Sequence, residues 1–276
     1  MPVLGFGTWG IGGWMERDHQ HDDEAVAAIR YAIDSGITHI DTAERYAEGH
    51  SEELVGRAVE DYDRSKLFLV SKILPEHLGY DDVLRAAERS LHRLGTDYLD
   101  MYLLHNPNPL IPIEETMRAM DRLVDEGRIR NIGLSNFLIE EMEAAMRVTK
   151  HPIVANQLRL NLASRRGEEM GLLHHAQIHD WLFIAFRPVR DVVLLQPAPA
   201  ILTAMCEKYD ASPAQVALNW LIGQKNIVTI VRSSSLEHVD DALNALRWSM
   251  SPEDIELLRS DFPLPKTLPV PLPPAF

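Results

Sequence analysis

A single cysteine, Cys206, stands among the 276 residues, so the chain can form no internal disulfide and is not a disulfide-stapled scaffold. Long hydrophobic runs are missing too. None approaches the roughly 18 residues of a membrane-spanning helix. The start, Met1-Pro2-Val3-Leu4-Gly5, lacks the basic segment and apolar stretch of a secretory leader. A soluble, cytoplasmic protein without a membrane partner is expected. Positive charge is scarce: 27 Lys and Arg against 41 Asp and Glu leave a net charge of −14. That balance argues against a nucleic-acid partner, because phosphate backbones need a positive face. It leaves room for a small anionic molecule in one local basic pocket. No Gly-x-Gly-x-x-Gly occurs in the strand-to-helix setting of a doubly wound dinucleotide domain. Histidines 174, 175 and 179 fall on one predicted helix, but no His-Glu-x-x-His arrangement accompanies them. They are expected to be solvated, and no metal site is expected.

What the chain does have is ordinary globular material, 46% hydrophobic and 25% charged. Eight strand-like runs can be read at about 3–9, 37–42, 67–72, 98–105, 130–135, 153–158, 182–187 and 227–232. Helical patterns separate them. Asp22-Asp23 opens the first, which stops at Gly36. Ser51 is expected to cap the second, and Asp81-Asp82 opens the third. Others run over 113–126, 139–149, 167–178, 212–223 and 237–247. Strand and helix alternating eight times predict an α/β fold, a (β/α)8 TIM barrel, whose usual length is about 250 residues. The expected layout is a single barrel domain over 1–260, with extra short helices near 198–209 and 251–259. The neighbourhood of Cys206 reads as helix core. A tail, 261–276, carries Pro263, Pro265, Pro269, Pro271, Pro273 and Pro274 and cannot sustain a hydrogen-bonded ladder.

Polar side chains stand at or just past the ends of three strands. Asp41 closes the second, Tyr46 follows it, Lys72 closes the third and His105 the fourth. In a βα barrel the strand C-termini converge on one face, where catalytic groups gather. An acid, a phenol, an amine and an imidazole there can pass a proton to a carbonyl oxygen. Alone, Asp41 and Lys72 could be a structural ion pair, and Tyr46 or His105 a packed loop residue. Together they point to an enzyme.

Seven words occur in order: Gly7-Thr8-Trp9-Gly10-Ile11-Gly12-Gly13, Asp41-Thr42-Ala43-Glu44-Arg45-Tyr46, Gly49-His50-Ser51-Glu52-Glu53-Leu54-Val55-Gly56, Val70-Ser71-Lys72, Leu103-Leu104-His105-Asn106-Pro107, Gly133-Leu134-Ser135-Asn136-Phe137 and Asn156-Gln157. The sequence resembles the aldo-keto reductase family from residue 3 to about 247. That resemblance implies a (β/α)8 barrel binding NADP(H), with NAD(H) as a weaker alternative, and hydride transfer to the carbonyl of a small aldehyde or ketone. It makes Tyr46 the general acid, tuned by Lys72 and Asp41, with His105 orienting the carbonyl. An unperturbed phenol has a pKa of about 10, and a nearby ammonium would bring it toward the working range. A nucleotide-binding regulatory subunit on the same barrel is the alternative, disfavoured because all four positions are filled.

The resemblance also assigns binding residues. Ser135, Asn136 and Gln157 fall to the nicotinamide carboxamide, with Thr8, Trp9 and Asp41 nearby. Phe186 takes the place of a stacking tyrosine, and Arg187, Pro188, Val189 and Arg190 follow under the pyrophosphate. Arg232 with Ser233 and Ser235 forms a cradle for the 2′-phosphate, His238 stands where relatives have arginine, and Asp241 is offered to the adenine. Trp9, Trp14, His105 and Asn106 are expected to line the substrate pocket. With strand one expected at residue 3, the N-terminal hairpin that plugs the barrel bottom in many relatives has no room, so either other side chains close that end or the barrel is slightly less stable. The oligomeric state is not legible.

Overall fold

The structure, a computed structural model, describes residues 1–233 and 235–264. Strands β1 (Leu4–Gly7), β2 (His39–Asp41), β3 (Phe68–Ile73), β4 (Met101–Leu104), β5 (Ile132–Ser135), β6 (Ile153–Arg159), β7 (Leu182–Phe186) and β8 (Ile227–Val231) form a closed barrel in chain order. Each lies within three residues of its expected limits. The helices are α1 (Asp22–Asp34), α2 (His50–Val59), α3 (Tyr80–Leu94), α4 (Ile113–Asp125), α5 (Ile139–Val148), α6 (Arg166–Glu169), α7 (Leu172–His179), α8 (Arg190–Val193), α9 (Ala200–Tyr209), α10 (Pro213–Ile222), α11 (Leu236–Asn244) and α12 (Pro252–Asp261). By internal packing the chain resolves into two compact units, Met1–Gln157 and Leu158 onward. Most of the proline-rich tail, residues 265–276, lies outside the described residues.

Three expectations need correction. The helix expected over 167–178 is two helices, α6 and α7, parted at Gly171, whose φ of 77° is left-handed backbone that glycine adopts without steric cost. Cys206 does lie on a helix, α9, but is only half-buried; Leu202 and Met205 take the buried face. Ser51 does not cap α2. The helix starts two residues earlier, with Gly49 at φ 85° in the cap position and no side-chain cap. Ser51 is wholly buried and donates instead to Thr8 Oγ1 at 2.8 Å, while Thr42 Oγ1 donates to Ser51 Oγ at 3.2 Å. The glycine turn brings the chain into α2 with Ser51 already facing inward, and a buried hydroxyl takes the partner it meets.

In the first unit, β1, β2 and β3 pair in parallel with Gly5 opposite His39 and His39 opposite Phe68. Side chains alternate along a strand, so His39 projects on the same side as Asp41, one layer below it. The ring of His39 is wholly buried and packs edge-on against Phe68 at 5.7 Å. Gly5 makes this possible: a Cβ there would come within 2.3 Å of His39 Nδ1. This aromatic layer occupies the strand N-terminal end of the first unit. Neither ring nitrogen has a hydrogen-bond partner among the described residues. Burial, with Lys72 and the chain's N-terminal ammonium adding repulsion, pushes the His39 pKa down to about 3.

A prediction follows from the sign of that shift. Unfolded His39 takes up a proton below about pH 6.5, whereas the folded ring refuses one until about pH 3. Its contribution to stability is therefore complete above pH 6.5 and is lost as pH falls between the two values, by up to about 1.4 kcal/mol per pH unit. His39→Leu should flatten the acid limb of stability measured by urea unfolding from pH 7 to 4.5. A limb of unchanged slope would mean that His39 protonates freely in the folded protein.

Candidate active site

The strand ends of the first unit deliver the expected tetrad to one place. Lys72, next to last in β3, is wholly buried, and Asp41, last in β2, is 1% exposed. An ammonium has three N–H donors and no acceptor. All three of Lys72's are engaged: Asp41 Oδ1 at 2.5 Å, Thr42 O at 2.9 Å and Tyr46 Oη at 3.2 Å. Because Lys72 can only donate, Tyr46 Oη must accept in that bond. The phenolic hydrogen is left to point elsewhere. Tyr46 is carried to this position by a turn in which Ala47, Glu48 and Gly49 have φ of 48°, 54° and 85°. This run of left-handed backbone is what makes the chain double back before α2.

Around the tetrad the packing is aromatic. Tyr46 meets the rings of His105 at 5.7 Å and Trp9 at 4.9 Å, both edge-on, and Trp9 meets Trp14 edge-on at 5.7 Å. Trp14 is half exposed. His105 is buried just past β4; its N–H donates to Ile73 O, and its carbonyl accepts from Asn136 Nδ2 at 3.1 Å. Asn106 is buried beside it in sequence, and its Oδ1 has no partner among the described residues.

The electrostatics sort the protons. Burial lowers the Lys72 pKa, but the Asp41 carboxylate and Tyr46 outweigh it, so the ammonium is held above its ordinary value. His105 is driven well below the usual imidazole range by burial, then by Lys72 and Arg45, and is neutral. For Tyr46 the expectation of a lowered pKa does not hold. Burial pushes the phenol up; Lys72 pulls it down without overcoming the burial, and Asp41 adds to the rise. The phenol of this site keeps its proton.

The other expected residues divide. Gln157 Nε2 donates to Asp41 Oδ2 at 2.8 Å, and Ser135 Oγ donates to the Gln157 carbonyl at 3.1 Å. Asn136 takes φ 63° and also donates to Ser135 Oγ at 3.1 Å. These three therefore form one network with Asp41. Thr8 is wholly buried with its hydroxyl engaged by Ser51, so it braces the site from behind.

In the second unit, Phe186 ends β7, half-buried, and Arg187 follows with φ 54°, then buried Pro188 and half-buried Val189. Arginines gather here. Burial and the guanidinium groups of Arg159 and Arg190 depress Arg187, opposed by Asp191. Partial desolvation, with Arg190 adding, depresses Arg232. Asp191 is wholly buried and holds Arg159 Nη2 at 2.6 Å. Asn161 joins them, donating to Asp191 Oδ2 at 2.7 Å and to Arg187 O at 2.8 Å. Sequence reasoning missed Arg159, Asn161 and Asp191, which no motif marks. Ser233 is turned onto the backbone of Ser235, bonding its N–H and its carbonyl at 2.9 Å each, and its hydroxyl is not offered outward. His238 is exposed on α11. Asp241 accepts from Ser212 Oγ at 2.9 Å and Gln215 Nε2 at 2.6 Å, which makes it a link between α10 and α11 rather than a free acceptor for adenine. Histidine 175 on α7 accepts from Trp181 Nε1 at 3.0 Å and is a packing residue.

A sequence model of the Aldo/keto reductase family matches residues 3–260. The chain belongs to the aldo/keto reductase family. It is 34% identical over 270 residues to methylglyoxal reductase YeaE of Escherichia coli, covering 96% of this chain and 93% of that protein. Among solved structures it is similar to the thermostable aldo-keto reductase Tm1743, solved with the inhibitor epalrestat (43% identity, TM-score 0.91, 94% of this chain and 95% of that one). It is also similar to an aldo-keto reductase from Klebsiella pneumoniae solved with NADPH (39% identity, TM-score 0.86, 97% of this chain and 93% of that one). The protein is thus an oxidoreductase of this family with the barrel of its relatives. No helix among the described residues is long and apolar enough to cross a membrane.

The buried ion pair yields a stability prediction. Lys72→Met leaves the Asp41 carboxylate buried with Gln157 and should cost roughly 3–5 kcal/mol, the usual penalty for orphaning a buried charge. Adding Asp41→Asn removes the orphaned charge, so the double variant should lose less than the sum of the two single losses, with a coupling on the order of 1–3 kcal/mol. Strictly additive losses in urea unfolding would show the two residues to be energetically independent.

Proposed function

We propose that the protein reduces the carbonyl of a small aldehyde or ketone with NADPH, and that Tyr46 delivers the proton. The observation carrying this reading is the saturation of Lys72: its donors are all engaged, the phenol oxygen accepts one of them, and the phenolic O–H is left to donate elsewhere. The dinucleotide, when bound, supplies the hydride. Tyr46 gives its proton to the carbonyl oxygen as negative charge develops there, and Lys72 then stabilises the phenolate. A raised resting pKa suits this order of events, because the acid is loaded before reaction and the ammonium acts most on the charged product of transfer. Neutral His105 can donate one ring N–H to the same oxygen and fix its approach. Asp41 keeps Lys72 charged, and Gln157 keeps Asp41 in place.

The residues fit the cofactor. Desolvation, with Arg190 adding, depresses both Arg187 and Arg232, which costs energy that an anion would relieve. We assign Arg232 to the adenosine 2′-phosphate and Arg187 and Arg190 to the pyrophosphate, and Ser135 and Asn136 to the carboxamide of the nicotinamide. Phe186 offers a ring face for stacking. The name of the Escherichia coli relative, methylglyoxal reductase, and the small polar Asn106 at the pocket favour a compact carbonyl substrate over a bulky one.

Tyr46→Phe keeps the ring and loses the acid, so the rate of NADPH oxidation with an aldehyde panel should fall by roughly 10²–10⁴, with NADPH binding by fluorescence nearly unchanged. Retention of more than a third of the parental turnover would sink the assigned role. Arg232→Glu should raise the Michaelis constant for NADPH sharply and leave that for NADH close to its starting value. An unchanged NADPH-to-NADH ratio would place the phosphate on Arg187 or Arg190 instead.

A further inference from the structure

Away from the tetrad, in the first unit, two histidines and an aspartate converge from two separate stretches of chain. His19 lies in the loop between β1 and α1, Asp22 is the first residue of α1, and His50 is the first residue of α2. One donor atom of each falls within 4.8 Å of the other two. His50 Nε2 is 2.8 Å from Asp22 Oδ1, and His19 Nδ1 is 3.0 Å from Asp22 Oδ2. We propose that His19, Asp22 and His50 form a binding site for a divalent transition-metal ion of the zinc type.

Zinc holds nitrogen and oxygen donors at about 2.0–2.2 Å, so tetrahedral ligands stand ~3.3 Å apart. The two histidine–carboxylate contacts would open by a few tenths of an ångström, and the two imidazole nitrogens, within 4.8 Å of one another, would close toward that spacing. The donor set, two imidazoles and one carboxylate, suits zinc, nickel or copper and not magnesium or calcium, which prefer oxygen. Support behind the ligands is also in place. His50 is 4% exposed, and its other ring nitrogen, Nδ1, is 3.0 Å from Glu53 Oε2. That carboxylate would fix the tautomer that leaves Nε2 free to ligate. Glu53 is itself clamped by Arg17, whose Nη1 and Nη2 each donate to one of its oxygens at 3.0 Å. The backbone of the loop is shaped to pass the ring closely: Gly12 has φ 74°, and a Cβ there would meet His50 Cδ2 at 2.8 Å. His19 is the exposed member, with 63% of its side chain open to solvent, so an ion can enter from that side. His21 is turned away to Glu24, at 2.8 Å, and takes no part.

An ion here would pin the loop carrying Trp9 and Trp14 to the segment carrying Tyr46. That loop already reaches the same segment by Arg17 Nη2 donating to Glu48 O at 3.2 Å and Ala47 N–H donating to Trp14 O at 3.4 Å. Its grip would bear on how firmly the aromatic wall beside Tyr46 is held. The proposal does not depend on the assignment of catalytic roles.

The test is titration of tag-free protein with Zn(II) alone, read by calorimetry and by thermal unfolding. Expected are one saturable equivalent and a rise in unfolding temperature, both weakened at least tenfold in affinity by His19→Ala. That substitution removes an exposed side chain and should leave the fold intact. Asp22→Asn should weaken binding likewise. Absence of saturable binding would overturn the proposal. So would binding that survives both substitutions, since the ion would then sit elsewhere, for instance on the histidines of α7.

Discussion

A lysine without any solvent contact is an expensive thing to build, and much of the first unit is organised around keeping Lys72 charged. The Born cost of taking an ammonium out of water is several kcal/mol even after relaxation. A single carboxylate 2.5 Å away recovers part of it, and the carbonyl of Thr42 and the phenol of Tyr46 engage the remaining donors. The carboxylate needs its own second partner, which Gln157 supplies from β6. Each member therefore fixes the next, and the geometry around Tyr46 is over-determined. Such a cluster contributes little to net stability for the desolvation it requires. What it achieves is to hold a phenolic hydroxyl beside a permanent positive charge in a low-dielectric site.

The same constraint explains the local backbone. Tyr46 has to reach Lys72 from the loop after β2, and the chain does so by three successive left-handed residues before entering α2. That conformation is unfavourable for Ala47 and Glu48, so the surroundings must hold it. They do so through buried bonds. Ser51 locks α2 to Thr8, and Glu52, wholly buried, accepts from Ser71 at 2.5 Å and from Arg93 at 2.6 Å. Gly49 and Gly56 allow the Arg93 segment to approach, since a Cβ on either would come within 2.7 Å of it. Burial pushes the Glu52 carboxyl up, and Arg93 is the largest influence holding it down. The motif residues between Tyr46 and Gly56 are thus mostly mechanical: they hold one phenol where the ammonium is.

The arginines of the second unit obey the opposite logic. Arg159 is neutralised by buried Asp191, and Asn161 ties that carboxylate to the backbone of Arg187. Arg187 and Arg232 are instead partly desolvated and each repelled by Arg190. In a chain with a net charge of −14, a local excess of guanidinium groups is a specific feature, not a drift of composition.

The sequence by itself determined the barrel, because eight alternations of a period-two and a period-3.6 pattern leave few other ways to bury so many apolar faces. It also pointed to the tetrad, because the motif words put those four side chains at or just past strand C-termini, which converge on one face of a barrel. What it could not determine was how those side chains share donors and acceptors. Gln157 bracing Asp41, Ser51 engaging Thr8 instead of capping α2, and Asp241 engaging Ser212 and Gln215 are all choices made among partners far apart in the chain. The sign of the Tyr46 shift was decided at the same level, because burial depends on everything packed around the ring while the Lys72 effect depends on one distance. His19, Asp22 and His50 show the limit most plainly. Each is unremarkable in sequence, and only the folding of the His19–Asp22 segment against the one carrying His50 brings all three donor atoms together. Pattern is local and survives in one dimension; proximity between distant residues is a property of the packed chain alone.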